Sequence, residues 1–118
     1  MQVLVIVLNK TDFLEKILAI LVERHVKGAT ILSSQGMGSA IVNDEYTSIP
    51  LFGSLKNVLK QRHPYNKTIF SVIHDEAILE AVIRDIENLF AEVDEPGIGL
   101  LFTVPVGHLK VLGKKNGT

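Results

Sequence analysis

The 118-residue sequence contains no cysteine and no long apolar run. The lack of cysteine excludes a disulfide framework, a thiolate metal site, a thiol nucleophile and a thiol redox switch. The longest apolar runs cover residues 3–8 and 17–22, far short of the roughly 20 residues that a membrane-spanning helix needs. The N-terminus has no basic segment ahead of an apolar stretch, so we expect a cytoplasmic protein with no secretory signal and no membrane insertion.

Charge of either sign is also scarce. The sequence has 12 basic and 13 acidic side chains, and charged residues make up 21% of it against 47% hydrophobic residues. A disordered segment would be polar and rich in charge, so this composition predicts that residues 1–118 form one compact domain. The formal net charge of −1 argues against a protein that binds nucleic acid through a general basic field.

The usual patterns of catalytic and metal sites are missing as well. None of the four histidines lies three or four residues from another, and no serine stands in a G-x-S-x-G setting. Helix capping explains the acidic residues near the predicted helix starts. We therefore expect no metal site and no enzymatic activity, since a small lyase or isomerase would need an acid/base pair that this sequence does not offer.

What the sequence does contain is an internal repeat. Residues 5–18 align with residues 70–83, and each copy passes from a β-rich run through a polar junction into apolar residues at helical spacing. Asp12 and Glu15 have the spacing of a capping box at the first helix, and Asp75 is a candidate N-cap of the second.

A further strand follows each predicted helix, over residues 29–34 and 100–106. Gly28 precedes the first of these, where a glycine can take the left-handed conformation that ends a helix. The order is therefore βαβ, an insert over residues 39–66, and βαβ again. This order predicts an α+β, ferredoxin-like split βαβ fold, with a four-stranded antiparallel sheet and two helices on one face.

The predicted first strand is apolar on both of its faces. Residues 3–8 read Val-Leu-Val-Ile-Val-Leu, whereas a sheet with helices on one side only should alternate apolar and polar residues. Something must cover the second face, because an apolar patch of that size is uncommon on a monomer. Either the insert or the C-terminal tail folds back over it, or copies of the chain associate; we favour self-association with closed rotational symmetry.

Two glycine pairs lie beside the predicted strands: Gly36 and Gly38 follow the second strand, and Gly97 and Gly99 precede the last. Glycine lets backbone N–H groups approach a phosphate without a Cβ in the way. Neither pair forms a G-x-G-x-x-G or Walker motif, so turn geometry and close strand packing remain the alternative interpretation. If the phosphate interpretation holds, a valine at Gly99 should block the ligand and leave the assembly intact.

The order and spacing of these motifs resemble the PII nitrogen-regulatory signal proteins. In the first half, Val26-Lys27-Gly28-Ala29-Thr30 leads to Gln35-Gly36-Met37-Gly38 at the root of the insert. In the second half, Val72-Ile73-His74-Asp75-Glu76 precedes a helix and Gly97-Ile98-Gly99 precedes the last strand.

The resemblance implies a homotrimer with nucleotide clefts between its subunits. It also implies that the insert, as the equivalent of the family's T-loop, carries the signal to a protein target. In this family a base would lie against Thr30 and the backbone near Val72, and the ribose and phosphates would lie against the glycines. The ligand-binding residues that the resemblance implies are Thr30 and Val72, then Gly36, Gly38, Gly97 and Gly99.

The sequence departs from this family at the phosphate contacts. Leu100 stands where the family has a lysine, Val111 and Gly113 stand near the places of two arginines, and Ala40 replaces a glutamine that serves metal and 2-oxoglutarate. Removing three cations would cost several kcal/mol of charge-assisted bonding. We therefore expect a divergent PII-like regulatory protein whose small-molecule effector is an adenine nucleotide, another small anion, or absent. The alternative function is a structural oligomer without a ligand.

Overall fold

The computed structural model describes residues 1–37 and 65–113. Their elements, in chain order, are β1 (Gln2–Leu8), a 3-10 turn (Thr11–Phe13), α1 (Leu14–Glu23), β2 (Thr30–Gln35), β3 (Tyr65–Ile73), α2 (Glu76–Phe90) and β4 (Gly99–Pro105). All strand pairs are antiparallel, and the strands lie in the order β2-β3-β1-β4. This is the α+β, ferredoxin-like split βαβ arrangement that the sequence predicted.

The predicted insert overlaps the sheet by two residues. Strand β3 begins at Tyr65, so Tyr65 and Asn66 are part of the sheet rather than of a connection. The remainder of the predicted insert, residues 39–64, lies outside the described residues. The two copies of the repeat become β1 with α1 and β3 with α2, and they place β1 and β3 side by side at the centre of the sheet.

The core lies between one face of the sheet and the two helices. The helices contribute residues at spacings of three and four, which place them on one side of each helix. The buried apolar residues of the core are Leu4, Ile6, Leu8, Ile17, Leu21, Ile69, Ile73, Leu79, Val82 and Ile86. Burying each of these side chains stabilises the fold by roughly 1.5–3 kcal/mol, so this layer fixes which face of the sheet remains for other contacts.

The two helices begin in different ways. Asp75 caps α2 as predicted: its Oδ1 accepts hydrogen bonds from the backbone N–H groups of Ala77 (2.8 Å) and Ile78 (3.3 Å). The capping box predicted at α1 is wrong, because the chain enters α1 through the 3-10 turn. Neither Lys10 nor Phe13, the residues just ahead of the two helical segments, makes a side-chain capping bond.

The left-handed residue that ends α1 is His25 and not Gly28 as predicted. His25 has φ of 62°, whereas Gly28 has no positive φ. The His25 N–H donates to the Val22 carbonyl (3.1 Å), and the Val26 N–H donates to the Leu21 carbonyl (2.9 Å). These two bonds form a Schellman motif, which closes the helix immediately and leaves Gly28 in the connection to β2.

Two polar contacts hold that connection against the rest of the domain. Arg24 makes a bidentate bond to Asp85 of α2 through Nε (2.6 Å) and Nη2 (3.0 Å). The Arg24 guanidinium lowers the pKa of the Asp85 carboxyl below its ordinary value, chiefly through this hydrogen bond. The hydroxyl of buried Ser71 donates to the Gly28 carbonyl (2.5 Å), so β3 holds the chain in place just before β2 begins.

Candidate functional site

The face of the sheet that points away from the helices is apolar, and we call it the open face. Its residues stand in rows across the strands: Val5 lies between Phe70 and Phe102, and Val7 lies between Thr68 and Leu100. The apolar residues of the open face are Val3, Val5, Val7, Leu32, Phe70, Val72, Leu100, Phe102 and Val104. The prediction that β1 is apolar on both faces is thus confirmed.

Much of this apolar surface is accessible in the single chain. The exposed fraction is 58% for Leu100 and 44% for Phe102 on β4, and 49% for Leu32 on β2. The central strand is half-buried on the same face at Val3 and Val5. A contiguous apolar patch of this kind is characteristic of a surface that contacts another molecule.

One end of the open face is polar. We call it the insert-root end, because β2 ends there and β3 begins there, on either side of residues 38–64. Ser34 of β2 and Thr68 of β3 have hydroxyl oxygens 2.8 Å apart, and Asn66 is only 8% exposed beside them. The Ser34 hydroxyl donates to Asn66 Oδ1.

Two further hydrogen bonds connect Asn66 across the sheet to the loop that precedes β4. Asn66 Nδ2 donates to Asn9 Oδ1 (3.2 Å), and Asn9 Nδ2 donates to the Gly97 carbonyl (3.1 Å). We call Thr68, Ser34, Asn66, Asn9 and the Gly97 carbonyl the polar network. It joins the ends of β1 and β2 to the beginnings of β3 and β4, which are distant in sequence.

Further bonds fasten the loop ahead of β4 to the end of β1. The backbone N–H groups of Asn9 (2.8 Å) and Lys10 (3.1 Å) both donate to the Ile98 carbonyl. Lys10 Nζ also pairs with Glu95 at 2.6 Å. This hydrogen bond raises the pKa of Lys10 above its ordinary value, so the insert-root end carries an ion pair beside its amide and hydroxyl groups.

The structure divides the predicted site residues between the two ends of the sheet. Thr30 pairs with Phe70, and Val72 is the next open-face residue of β3, so these two lie close together. Gly36 and Gly97 lie at the opposite, insert-root end, about 20 Å away along β2 at the usual rise of a strand. A single chain therefore does not bring all of them into one pocket. Gly38 lies outside the described residues.

The three described glycines of the predicted site have different structural reasons to be glycine. Gly97 has φ of 73°, which an L side chain rarely adopts, and open space around it. A Cβ on Gly36 would make only an ordinary contact with Asn66 Nδ2 (3.7 Å). Gly97 and Gly36 are therefore compatible with a ligand close to their backbone.

Gly99 is glycine because β4 approaches β1 too closely there for a side chain. A Cβ would collide with the Val7 carbonyl oxygen and lie 3.2 Å from the Leu8 Cα. Both are backbone atoms of the central strand and cannot move aside. A valine at Gly99 would therefore displace the start of β4, so the expectation that it would block a ligand and leave the assembly intact does not fit this geometry, which supports the strand-packing interpretation for this position.

A groove lies on the helix side of the sheet, between α2 and β4. It has a volume of about 460 Å³ and an apolar lining that includes Ile83, Phe90 and Leu101. Glu87 and Glu95 also line it. Gly97 and Gly99 of the predicted site line its β4 side, whereas the wall formed by α2 was not indicated by the sequence, because α2 and β4 meet only in the folded domain.

The described residues contain no group of three or more His, Cys, Asp or Glu side chains arranged to hold a metal ion. They also contain no buried side-chain nitrogen or oxygen without a hydrogen-bond partner. What the insert-root end offers is a set of neutral amides and hydroxyls, glycine backbone and the Lys10–Glu95 ion pair. Such groups bind polar or anionic ligands through hydrogen bonds rather than through a metal.

Sequence reasoning missed Asn9, Ser34, Asn66 and Thr68 as members of this site. The available signal was the interruption of an apolar strand face by Ser34, Asn66 and Thr68, all close to strand ends. Single polar residues near strand ends are common, so only the strand register shows that these three meet.

Comparison with known proteins adds no family to this description. No family model matches the chain, and a search of the curated proteins finds no match. Neither of the helices α1 and α2, which the structure describes within residues 1–37 and 65–113, is long and apolar enough to cross a membrane.

Proposed function

We propose that this chain is a PII-like regulatory protein without enzymatic activity, which assembles as a trimer and responds to a small anion or adenine nucleotide at the insert-root end. The observation that carries the proposal is the convergence of Gly36 and Gly97 on one end of the sheet. These glycines are 61 positions apart in sequence, yet both lie at the insert-root end: Gly36 lies beside Asn66 of the polar network, and the Gly97 carbonyl belongs to that network.

The open face supports the assembly. Its exposed leucine and phenylalanine side chains lose contact with water if copies of the sheet pack against each other, at about 25 cal/mol per Å² of apolar surface buried. The outer strands β2 and β4 run in opposite directions. The β2 edge of one copy can therefore pair antiparallel with the β4 edge of the next, and such head-to-tail contacts close into rings.

Association of copies would also bring together the predicted site residues that lie at opposite ends of the sheet within one chain. Thr30 and Val72 lie too far from Gly36 and Gly97 to share one ligand within a chain, but a cleft between two copies can draw one pair from each. The protein target would then be contacted by residues 38–64, whose root adjoins the cleft. In this proposal the protein acts in the cytoplasm as a homotrimer with a small-molecule effector.

The assembly is tested by sedimentation velocity at micromolar concentration. We expect a particle of three times the 13.0 kDa chain mass. Phe102→Lys places a charge on the open face and should dissociate it. Val22→Lys is the matched control, because Val22 is 72% exposed on α1 and lies outside the open face. A wild-type chain that sediments as a stable monomer contradicts the proposal.

The effector is tested by thermal shift with ATP, ADP, AMP and inorganic phosphate. A ligand at 100 times its Kd stabilises the folded state by about 2.7 kcal/mol, which corresponds to a shift of roughly 10 °C for a domain of this size. Gly36→Val should remove the shift, because its side chain would occupy the space that the ligand needs. Gly107→Val is the control, since Gly107 has nothing within 4 Å of its added Cβ.

The structural oligomer without a ligand is the second candidate. The packing role of Gly99 favours it, because strand pairing alone explains one of the glycines that the phosphate interpretation would use. A trimer whose melting temperature no probe changes would establish this candidate over the first.

A further inference from the structure

We propose that Asn66 is a positioning residue that couples the two strand ends at the root of residues 38–64 to the loop that precedes β4. The proposal rests on the proposed function, because it identifies how a ligand beside Gly97 would change the root of the insert. Asn66 is the second residue of β3, so the coupling path runs through the sheet.

The side chain of Asn66 is held at both of its polar atoms by different strands. Its Oδ1 accepts from Ser34 on β2, and its Nδ2 donates to Asn9 Oδ1, which follows β1, at 3.2 Å. With only 8% of the residue exposed, water cannot readily replace either partner. The orientation of this amide is therefore set jointly by β2 and by the end of β1.

Asn9 extends the coupling to the loop ahead of β4. Its Nδ2 donates to the Gly97 carbonyl (3.1 Å), and its backbone N–H donates to the Ile98 carbonyl (2.8 Å). A ligand that draws the Gly97 carbonyl away leaves the Asn9 amide without that acceptor. The Asn9 amide can then turn over and present Nδ2 to Asn66.

Turning the Asn9 amide forces a response at Asn66 and Ser34. Two amide nitrogens cannot donate to each other, so Asn66 must turn as well and present Oδ1 to Asn9. Its Nδ2 then faces Ser34, whose hydroxyl must stop donating to Asn66 Oδ1 and donate instead to Thr68 (2.8 Å), or more weakly to the Asn66 backbone carbonyl (3.3 Å). The polar network thus has two hydrogen-bonded arrangements, and the state of the Gly97 loop selects between them.

A purely structural network would behave differently under mutation. If the bonds only stabilise the sheet, removing one member should disturb its immediate neighbours and leave the far edge unchanged. If the network couples the two loops, a change at Asn9 should be felt beyond its direct partner Asn66, at Gly36 on the far strand β2, two strand spacings or about 10 Å across the sheet. This difference can be measured without any ligand.

The first experiment compares Asn9→Ala with Lys10→Ala by amide NMR of the full chain. Both variants loosen contacts between the end of β1 and the loop ahead of β4, but only Asn9 belongs to the polar network. We expect the Gly36 amide resonance to shift in Asn9→Ala and to stay in place in Lys10→Ala. No shift in either variant, or an equal shift in both, overturns the proposal.

The second experiment runs in the opposite direction and includes a rescue. Thr68→Val removes the hydroxyl bonded to Ser34 at nearly constant volume. We expect hydrogen exchange at the Asn9 and Lys10 amides to become about fivefold faster, the effect of weakening one ordinary hydrogen bond. Thr68→Ser retains the hydroxyl and should restore the wild-type rate. Unchanged exchange in Thr68→Val, or failure of Thr68→Ser to restore it, contradicts the coupling.

A third experiment uses ATP as the probe and Asn66→Asp as the variant. The carboxylate can accept from both Ser34 and Asn9 but can donate to neither, so the Asn9 amide must keep its Nδ2 turned toward it and the network can no longer alternate, while the size of the side chain is retained. At ATP concentrations that saturate each protein, we expect the variant to lose the change in hydrogen exchange at Gly36 that ATP causes in the wild type. An exchange change at Gly36 equal to that of the wild type refutes the role of Asn66.

The two proposals fail in distinguishable ways. If no thermal shift with ATP, ADP, AMP or phosphate occurs in the wild type, the proposed function fails, and the first two experiments alone decide whether Asn66 couples the loops. If the wild type binds ATP but Gly36 does not respond in Asn9→Ala, the coupling is wrong and the proposed function stands.

Discussion

Replacing Gly99 with alanine should destabilise the domain, because β4 and β1 leave no room for a side chain at this point. The new Cβ would collide with the Val7 carbonyl oxygen and lie 3.2 Å from the Leu8 Cα. To accommodate it, the start of β4 must move away from the central strand, which disturbs the register pair of Leu8 and Gly99. Overpacking of this kind costs about 1–3 kcal/mol.

Two other glycines provide matched controls for this prediction. Gly97 has φ of 73° and open space, so Gly97→Ala should cost only the backbone strain of about 1 kcal/mol. Gly28 has open space and no positive φ, so Gly28→Ala should be neutral or slightly stabilising. We expect about 2 kcal/mol for Gly99→Ala, or a fall in melting temperature of roughly 8 °C.

The measurement is urea unfolding of the three variants and the wild type at one fixed protein concentration, because association would otherwise change the apparent stability. The expected order of destabilisation is Gly99→Ala, then Gly97→Ala, then Gly28→Ala. A Gly99→Ala variant as stable as the wild type would show that β4 can move away from β1 without loss of the free energy of unfolding. A larger loss for Gly97→Ala than for Gly99→Ala would show that backbone conformation, and not crowding, governs these positions.

Three further changes have definite expected outcomes. His25→Gly should raise the free energy of unfolding by about 0.5–1 kcal/mol in thermal or urea melts, because glycine takes the left-handed conformation without steric strain. Asp75→Ala should lower it by about 1 kcal/mol through loss of the cap, whereas Asp12→Ala, which removes no capping bond, should leave it unchanged. Asp85→Asn should be less stable than the wild type above about pH 4. Since Arg24 lowers the pKa of Asp85, this difference should shrink as the pH falls through that lowered pKa; a difference that persists at acid pH would exclude the ion pair as its cause.

The order of the strands and helices could be predicted from the sequence because it depends on local patterns. Alternation and helical spacing of apolar residues are properties of ten to fifteen neighbouring positions. The repeat of residues 5–18 at 70–83 made the split βαβ order recognisable without any long-range information. Asp75 could be assigned as the N-cap of α2 for the same reason, since a helix cap bonds to backbone groups two and three residues away.

The prediction of the residue that ends α1 failed because two residues in the sequence could take the left-handed conformation. Gly28 and His25 both follow α1, and glycine is the better residue in the left-handed conformation. The helix nevertheless closes at His25, because Val26 then packs against the core while its N–H bonds to the Leu21 carbonyl. Packing of a neighbouring residue outweighed the intrinsic preference of glycine.

The sequence alone determined the fold class and the presence of an apolar second face, since both follow from which residue types alternate along each strand. Only the tertiary structure decided what the polar and glycine residues do. Gly99 owes its identity to the distance between β4 and β1, and Asn66 owes its two partners to strands that begin or end far from it in the chain. Hydrogen bonds and steric contacts act over a few ångströms in space, so residues separated by 30 to 90 positions can be assigned to one network only when the strand register is known.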